Sequence, residues 1–166
     1  RLMMDVHMSV LENEKVIGDP LRIRQVYINI LSNAVKYTPA GGSLHIEVSQ
    51  EKSSIRGRQK YIFKCSDTGI GMSEEFISRI YEPFSQESTG ATTMYGGTGL
   101  GLAISKSIVD MMDGRIAVRS IKGLGSEFTI DVKLGITEEE KLRHNQTKTN
   151  LNFSHLKTLV VDDDVA

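Results

Sequence analysis

The spacing of apolar positions changes several times along the chain, and each change predicts an element. Leu2 to Ser9 reads as an edge strand entering a domain, and Val16-Ile17 as a second short extended piece. Asp19-Pro20 is a helix start: the Asp19 carboxylate can accept from the free first-turn amides, and Pro20 suits the first helical position. This helix is expected to run to about Tyr37 and stop before Pro39 and Gly41-Gly42. Ile23, Tyr27, Ile30, Leu31 and Ala34 gather on one side of it and form its predicted core contact. Leu44, Ile46 and Val48, then Tyr61, Phe63 and Cys65, alternate with polar residues and predict two antiparallel strands across a polar loop. Ser73 should cap a short helix that carries Ile77, Ile80 and Tyr81 on one side, with Glu74 and Glu75 favourable in its first turn.

Ser85 to Gly97 is polar, small and aperiodic, which predicts a mobile loop. A helix follows from near Gly99, with Ile104, Ile108 and Met111 at helical spacing, and ends at Asp113-Gly114. Ile116/Val118 and Phe128/Ile130/Val132/Leu134 then predict a hairpin through Gly123-Leu124-Gly125. The pattern predicts an α/β (α+β) two-layer sandwich, a mostly antiparallel sheet packed on helices, over residues 1–135. Residues 136–155 read as a linker, with Glu138 to Glu140 as a solvated face. Leu156 to Val161 is a buried-strand pattern ending in Asp162-Asp163-Asp164, and 156–166 reads as the start of a second, truncated domain.

Composition narrows the class. The 166 residues are 39% hydrophobic and 25% charged, normal for a globular protein and too apolar for disorder. Net charge is −1, which gives no ground for nucleic-acid or membrane-surface binding. No apolar run approaches the roughly 18 residues of a span. Lone Cys65 excludes an internal disulfide, reads as a core residue and fits a reducing compartment, so the domain is expected to be cytoplasmic. A parent protein could still be anchored in the inner membrane by other segments. His7, His45, His144 and His155 make no metal-ligand spacing, and the seven methionines read mostly as ordinary packing.

The chemistry sits at three places. Asn29, Asn33 and Lys36 stand at i, i+4 and i+7, within a stripe about 60° wide on the predicted helix. A solvated helix face is the plain reading of such a stripe. Two asparagines on one line are unfavourable in mid-helix, however, and amide oxygens beside an ammonium suit a hard cation and phosphate oxygens. Asp67-Thr68-Gly69-Ile70-Gly71 leaves a strand end, where Asp67 offers an acceptor-only carboxylate suited to an exocyclic amine. Gly96-Gly97-Thr98-Gly99-Leu100-Gly101 opens a helix, a combination of free amides that favours anions. It is neither a dinucleotide fingerprint nor a P-loop.

In this order the segments resemble the four boxes of the ATP-binding catalytic domain of sensor histidine kinases, in the GHKL superfamily shared with DNA gyrase, MutL and an ATP-dependent chaperone family. Asn29-Ile-Leu-Ser-Asn33-Ala-Val-Lys36-Tyr-Thr is similar to the N box, and Asp67-Thr-Gly-Ile-Gly71-Met to the first glycine box. Glu82-Pro-Phe84-Ser-Gln resembles the F box, and Gly97-Thr-Gly99-Leu-Gly101-Leu-Ala-Ile the second glycine box. The resemblance covers roughly residues 2 to 134 and implies the Bergerat-type ATP-binding fold.

It also implies roles. Asn33 would coordinate Mg²⁺ with Asn29 near the metal shell, and Lys36 would contact phosphate oxygens. Tyr37 would lie near adenine or ribose, and Asp67 would accept from the adenine amino group. Gly69, Gly71, Gly97, Thr98, Gly99, Leu100 and Gly101 would shape the ATP pocket together with Phe84, which would also hinge a lid spanning 85–97. Leu159-Val-Val-Asp162-Asp163 resembles the first strand and acidic pair of a response-regulator receiver domain, which together with the kinase domain implies a hybrid kinase. The implied partners are dimerisation helices carrying the phosphoacceptor histidine and a receiver domain in cis, within a homodimeric parent.

The implied activity is transfer of the ATP γ-phosphoryl group to that histidine in a two-component phosphorelay. None of the four histidines here matches the acceptor. Hydrolysing relatives carry Glu where this chain has Asn29, and an amide has no useful basicity. Two alternatives stand beside this reading: a hydrolysing ATPase of the same superfamily, and a non-catalytic nucleotide-sensing module.

Overall fold

The computed structural model describes residues 2–13, 15–87 and 98–137. In chain order they form β1 (Met3–Met8), β2 (Val16–Ile17), α1 (Pro20–Tyr37), β3 (Ser43–Lys52), β4 (Arg58–Asp67), α2 (Glu74–Ser78), α3 (Gly101–Met111), β5 (Arg115–Ile121) and β6 (Gly125–Ile136). The predicted strand 156–161, the predicted linker beyond Thr137, Gly97, most of the predicted loop, Glu138 to Glu140, His144, His155, Asp162 and Asp163 lie outside the described residues, and Ile136, expected in the linker, ends β6.

Helix boundaries follow local chemistry. Asp19 Oδ1 accepts from the Leu21 and Arg22 amides at 3.0 and 3.1 Å, with Pro20 in the first helical position. At the other end Thr38 turns extended ahead of Pro39, and its hydroxyl donates to the Ala34 carbonyl at 2.7 Å. Ser73 Oγ likewise accepts from the Phe76 amide at 3.3 Å and starts α2.

The strands form one six-stranded sheet in the order β1-β3-β4-β6, with β5 and β2 sharing the far edge of β6. Only β1–β3 is parallel. Parallel neighbours need a long crossover, and α1 lies in the chain between these two. The helices cover one face of the sheet, and the expected two-layer sandwich is the architecture found. Ile30, Leu44, Val109 and Ile130 are at most 1% exposed at its centre, and Tyr27 stacks on Phe63 with ring centroids 4.4 Å apart.

Three packing expectations change. Val26 joins Ile30 and Ala34 as a fully buried residue of α1, while Ile23, Tyr27 and Leu31 are only partly buried. In α3 the inward face is Ser105, Ile108 and Val109, and Ile104 and Met111 are exposed. Both faces contain Ile108, so spacing alone did not separate them; the close contact with α1 selects the one bearing the small Ser105. The methionines are not mostly core residues, since Met3, Met4, Met8 and Met111 are 59–71% exposed. Three of these lie on the edge strand β1, beyond which no further strand lies among the described residues. Among the described residues no helix is long and apolar enough to cross a membrane.

Candidate functional site

A cleft of about 290 Å³ opens between α1, the β4 end, α2 and the start of α3. It gathers segments far apart in the chain: Asn29, Asn33, Lys36 and Tyr37 from α1, Asp67 and Gly71 from the first glycine turn, and Thr98, Gly99 and Gly101 from the second. The stripe on α1 therefore faces this cleft and not bulk water.

Asn29 is held at the back of the cleft. Its Nδ2 donates to Ser105 Oγ at 3.0 Å, and a Cβ on Gly101 would stand 2.2 Å from its Oδ1. The glycine at 101 thus lets the first turn of α3 come down onto the Asn29 amide. Lys36 lies in the last turn of α1, where the helix dipole favours a cation, with its ammonium 4.8 Å from the Tyr37 ring centroid.

Asp67 ends β4 and lines the cleft. Burial raises its pKa, and the amides of Gly69 and Ser126 partly offset this by donating to it. The Gly69 bond is 2.8 Å long. A group so placed keeps acceptor capacity toward the cleft while fixed from behind.

The glycines permit close backbone approach. Gly71 has φ +60°, and a Cβ there would lie 2.0 Å from the Ile121 carbonyl oxygen. Gly69 packs on the Tyr37 carbonyl, where a Cβ would be 2.5 Å away. Gly99, at φ +69°, would place a Cβ 2.7 Å from the Phe84 carbonyl carbon.

Gly69, Phe84 and Leu100 stand beside the cleft without lining it. Leu100 caps α3. Phe84 has φ 63°, donates its amide to the Gly99 carbonyl at 3.1 Å and is 72% exposed. It joins the two segments through backbone, with the ring outside the cavity.

The apolar wall had not been singled out from sequence. Ile70, Met72, Phe76, Ile80, Leu102 and Phe128 line the cleft together with the polar groups, giving it the mostly apolar, few-polar-anchors character of a small-molecule site. Glu87 is a second unforeseen member. It accepts from the Ser73 amide at 3.2 Å and from the Lys122 ammonium, fastening the start of the segment after Phe84 to the β5–β6 turn. The Ser85 hydroxyl also lines the cleft, buried and without a protein partner among the described residues.

No three His, Cys, Asp or Glu side chains among the described residues converge on a metal position. The donors that α1 brings to the cleft are instead the neutral amide groups of Asn29 and Asn33. That set fits Mg²⁺, which is commonly held by few protein ligands together with substrate phosphates and water.

Residues 18–136 match the family described as histidine kinase-, DNA gyrase B-, and HSP90-like ATPase. Against the autoinducer 2 sensor kinase/phosphatase LuxQ of Vibrio vulnificus the chain is 37% identical over 162 residues, 96% of this chain and 19% of that protein. Against the sensor histidine kinase RcsC of Escherichia coli it is 43% identical over 118 residues, 70% of this chain and 12% of the other. Among solved structures, full-length ShkA in complex with AMPPNP matches with a TM-score of 0.61 at 29% identity, covering 82% of this chain and 26% of that one. The chain thus spans about a fifth or less of the curated relatives' length.

Proposed function

Because the chain belongs to the histidine kinase-, DNA gyrase B-, and HSP90-like ATPase family, we propose that it binds Mg-ATP and donates the γ-phosphoryl group to a histidine on dimerisation helices. The observation carrying this reading is the convergence of Asn29, Asn33, Lys36, Asp67 and both glycine turns on one cleft. The solved relative holding AMPPNP supports a nucleotide as occupant, and the sensor-kinase relatives support a histidine acceptor.

Adenine would enter against the apolar wall, its amino group donating to Asp67. Tyr37 would border the adenine or ribose. Lys36 would meet phosphate oxygens, while the Thr98–Gly101 amides at the start of α3 would favour the anionic end. Asn33 would hold Mg²⁺ by its amide oxygen, with Asn29 beside it; the ion supplies charge neutralisation on the phosphates. The acceptor imidazole nitrogen forms a bond to the γ-phosphorus as the bond to the β–γ bridging oxygen breaks, and ADP leaves with that electron pair. Such transfer depends on positioning and charge stabilisation. Asn29 cannot serve as a general base for water, which favours transfer over hydrolysis.

We further read residues 156–166 as the start of a receiver domain that takes the phosphoryl group onward, after a 136–155 linker. The test is radiolabelled ATP with the chain joined to its dimerisation helices, separating acid-labile phosphohistidine from free phosphate. Label on histidine is expected. Steady phosphate release without it would assign the chain to the hydrolysing branch, and nucleotide binding with neither product would leave a sensing module. In the same preparation Asn33→Ala should alter the Mg²⁺ dependence of nucleotide binding.

A further inference from the structure

The outer edge of β1 has no neighbouring strand among the described residues. Its apolar side chains are nevertheless uncovered: Met4, Val6 and Met8 are 59, 56 and 62% exposed. They pair in register with Leu44, Ile46 and Val48. Leu44 and Ile46 belong to the core, so the three β1 side chains continue that core face out to the open edge.

The backbone shows which groups the edge offers. Met3 donates its amide to the Gly42 carbonyl at 3.1 Å, and Ser9 donates to the Val48 carbonyl at 3.0 Å. Odd-numbered residues therefore turn their polar groups toward β3. By strand alternation, the N–H and C=O of Met4, Val6 and Met8 point outward.

We propose that this edge pairs with the same edge of a second copy of the chain, antiparallel, about a two-fold axis at Val6. The outward groups of Val6 then bond those of Val6 in the second copy, and Met4 stands opposite Met8. Asp5 falls opposite His7 at the intervening non-hydrogen-bonded position, where side chains come closest. Side-chain pairing selects this register, because it alone sets a carboxylate opposite an imidazole across the joint. Moving the axis to Asp5 would oppose two aspartates, and moving it to His7 would oppose two histidines.

Charge complementarity extends one strand further on each side. Asp5 Oδ2 lies 3.0 Å from His45 Nδ1, and His7 stands in register with Glu47. Across the joint the solvent-side row reads His45, Asp5, then His7 and Glu47 of the second copy: base, acid, base, acid. The core-side rows read Leu44, Met4, Met8, Val48 and Ile46, Val6, Val6, Ile46. Twelve strands would form one sheet, and the open edge would disappear. This inference is independent of the nucleotide reading.

The test is sedimentation equilibrium of the full chain from micromolar to millimolar concentration, with Val6→Pro as the variant. Proline is tolerated on an edge strand where its nitrogen faces outward, so the bonds to β3 stay. A concentration-dependent dimer is expected, weakened about tenfold or more by Val6→Pro through loss of the two bonds at the axis. The register has its own assay. Asp5→Cys chains mixed with His7→Cys chains under a mild oxidant should form a disulfide-linked heterodimer, while either variant alone should not. Native Cys65 is buried and gives no background. A chain that stays monomeric throughout, a dimer untouched by Val6→Pro, or equal cross-linking in the single-variant samples would each overturn the proposal.

Discussion

Asn29 donates its side-chain amide to the hydroxyl of Ser105 at 3.0 Å, joining α1 to α3 behind the cleft. Ser105 is 1% exposed, so its hydroxyl has little access to water in exchange. Ser105→Ala should cost about 0.5–1.5 kcal/mol of folding free energy, the usual worth of such a bond. It should also weaken nucleotide binding, because Asn29 loses its anchor. Denaturant unfolding and calorimetric nucleotide titration of one preparation measure both. No change in either would show that the bond neither stabilises nor positions.

Asp67 makes binding and stability respond to acid in opposite directions. Burial holds its carboxyl above the ordinary aspartate value. As pH falls toward that raised value, protonation removes an acceptor, so adenine-nucleotide affinity should decline while an ordinary aspartate is still ionised. Stability runs the other way. The unfolded chain releases this proton first as pH rises, so the contribution from Asp67 is greatest in acid and is lost between the ordinary and the raised values. Nucleotide titration in pH steps checks the first trend, with Asp67→Asn as the pH-insensitive reference. Asp67→Ala should lose about 1.5–3 kcal/mol of binding.

Two glycine substitutions should separate folding from function. A Cβ at Gly71 would meet the Ile121 carbonyl oxygen at 2.0 Å from a positive φ, so Gly71→Ala should cost about 3 kcal/mol or more. At Gly101 the obstacle is the movable Asn29 side chain. There alanine gains about 0.5–1 kcal/mol of helix preference, which offsets the displaced amide. Gly101→Ala should therefore melt near the wild-type temperature yet bind nucleotide poorly. Equal losses of stability in the two variants would contradict this division.

Glu87 and Lys122 form a salt-sensitive fastening. Burial alone would raise the Glu87 pKa, but the Lys122 and Ser73 bonds outweigh it and hold the carboxylate below its ordinary range. The stabilisation is present above the ordinary value and lost as pH falls through the lower folded value. Lys122 is half exposed, which limits the pair to about 0.5–1 kcal/mol. A double-mutant cycle with Glu87→Ala and Lys122→Ala should return coupling of that size at low salt and less at high salt.

Much of this was legible in the residues because the deciding interactions are local. Asp19 and Ser73 cap the helices they were expected to cap, and the strand alternations match the pairings found. Interactions set by distant chain were harder to read. The face of α3 depends on α1, seventy-odd residues earlier, and 104/108/111 is as helical a spacing as the buried set. Phe76, Ile80 and Phe128 line the cleft, yet inward apolar residues of core and cleft wall share one pattern. The parallel pairing of β1 with β3 is similarly silent in sequence, because nothing in a strand records the direction of a partner forty residues away. Phe84 was expected at the cleft; its backbone is at the joint, while the residue is largely exposed and does not line the cavity.

Strand β6 has a consequence for how the domain comes apart. One edge pairs with β4 along ten residues, and the other is divided between β5 and β2. Three of the other five strands therefore pair with this single segment, whose inward residues Phe128, Ile130, Val132 and Leu134 are all buried. Its amides alternate between the two sides, so all of them become free only when the sheet separates on both, and together their hydrogen exchange should report global unfolding. β1 can peel from β3 without disturbing that centre. The protein should thus lose protection from the β1 margin inward, with β6 the last strand to open.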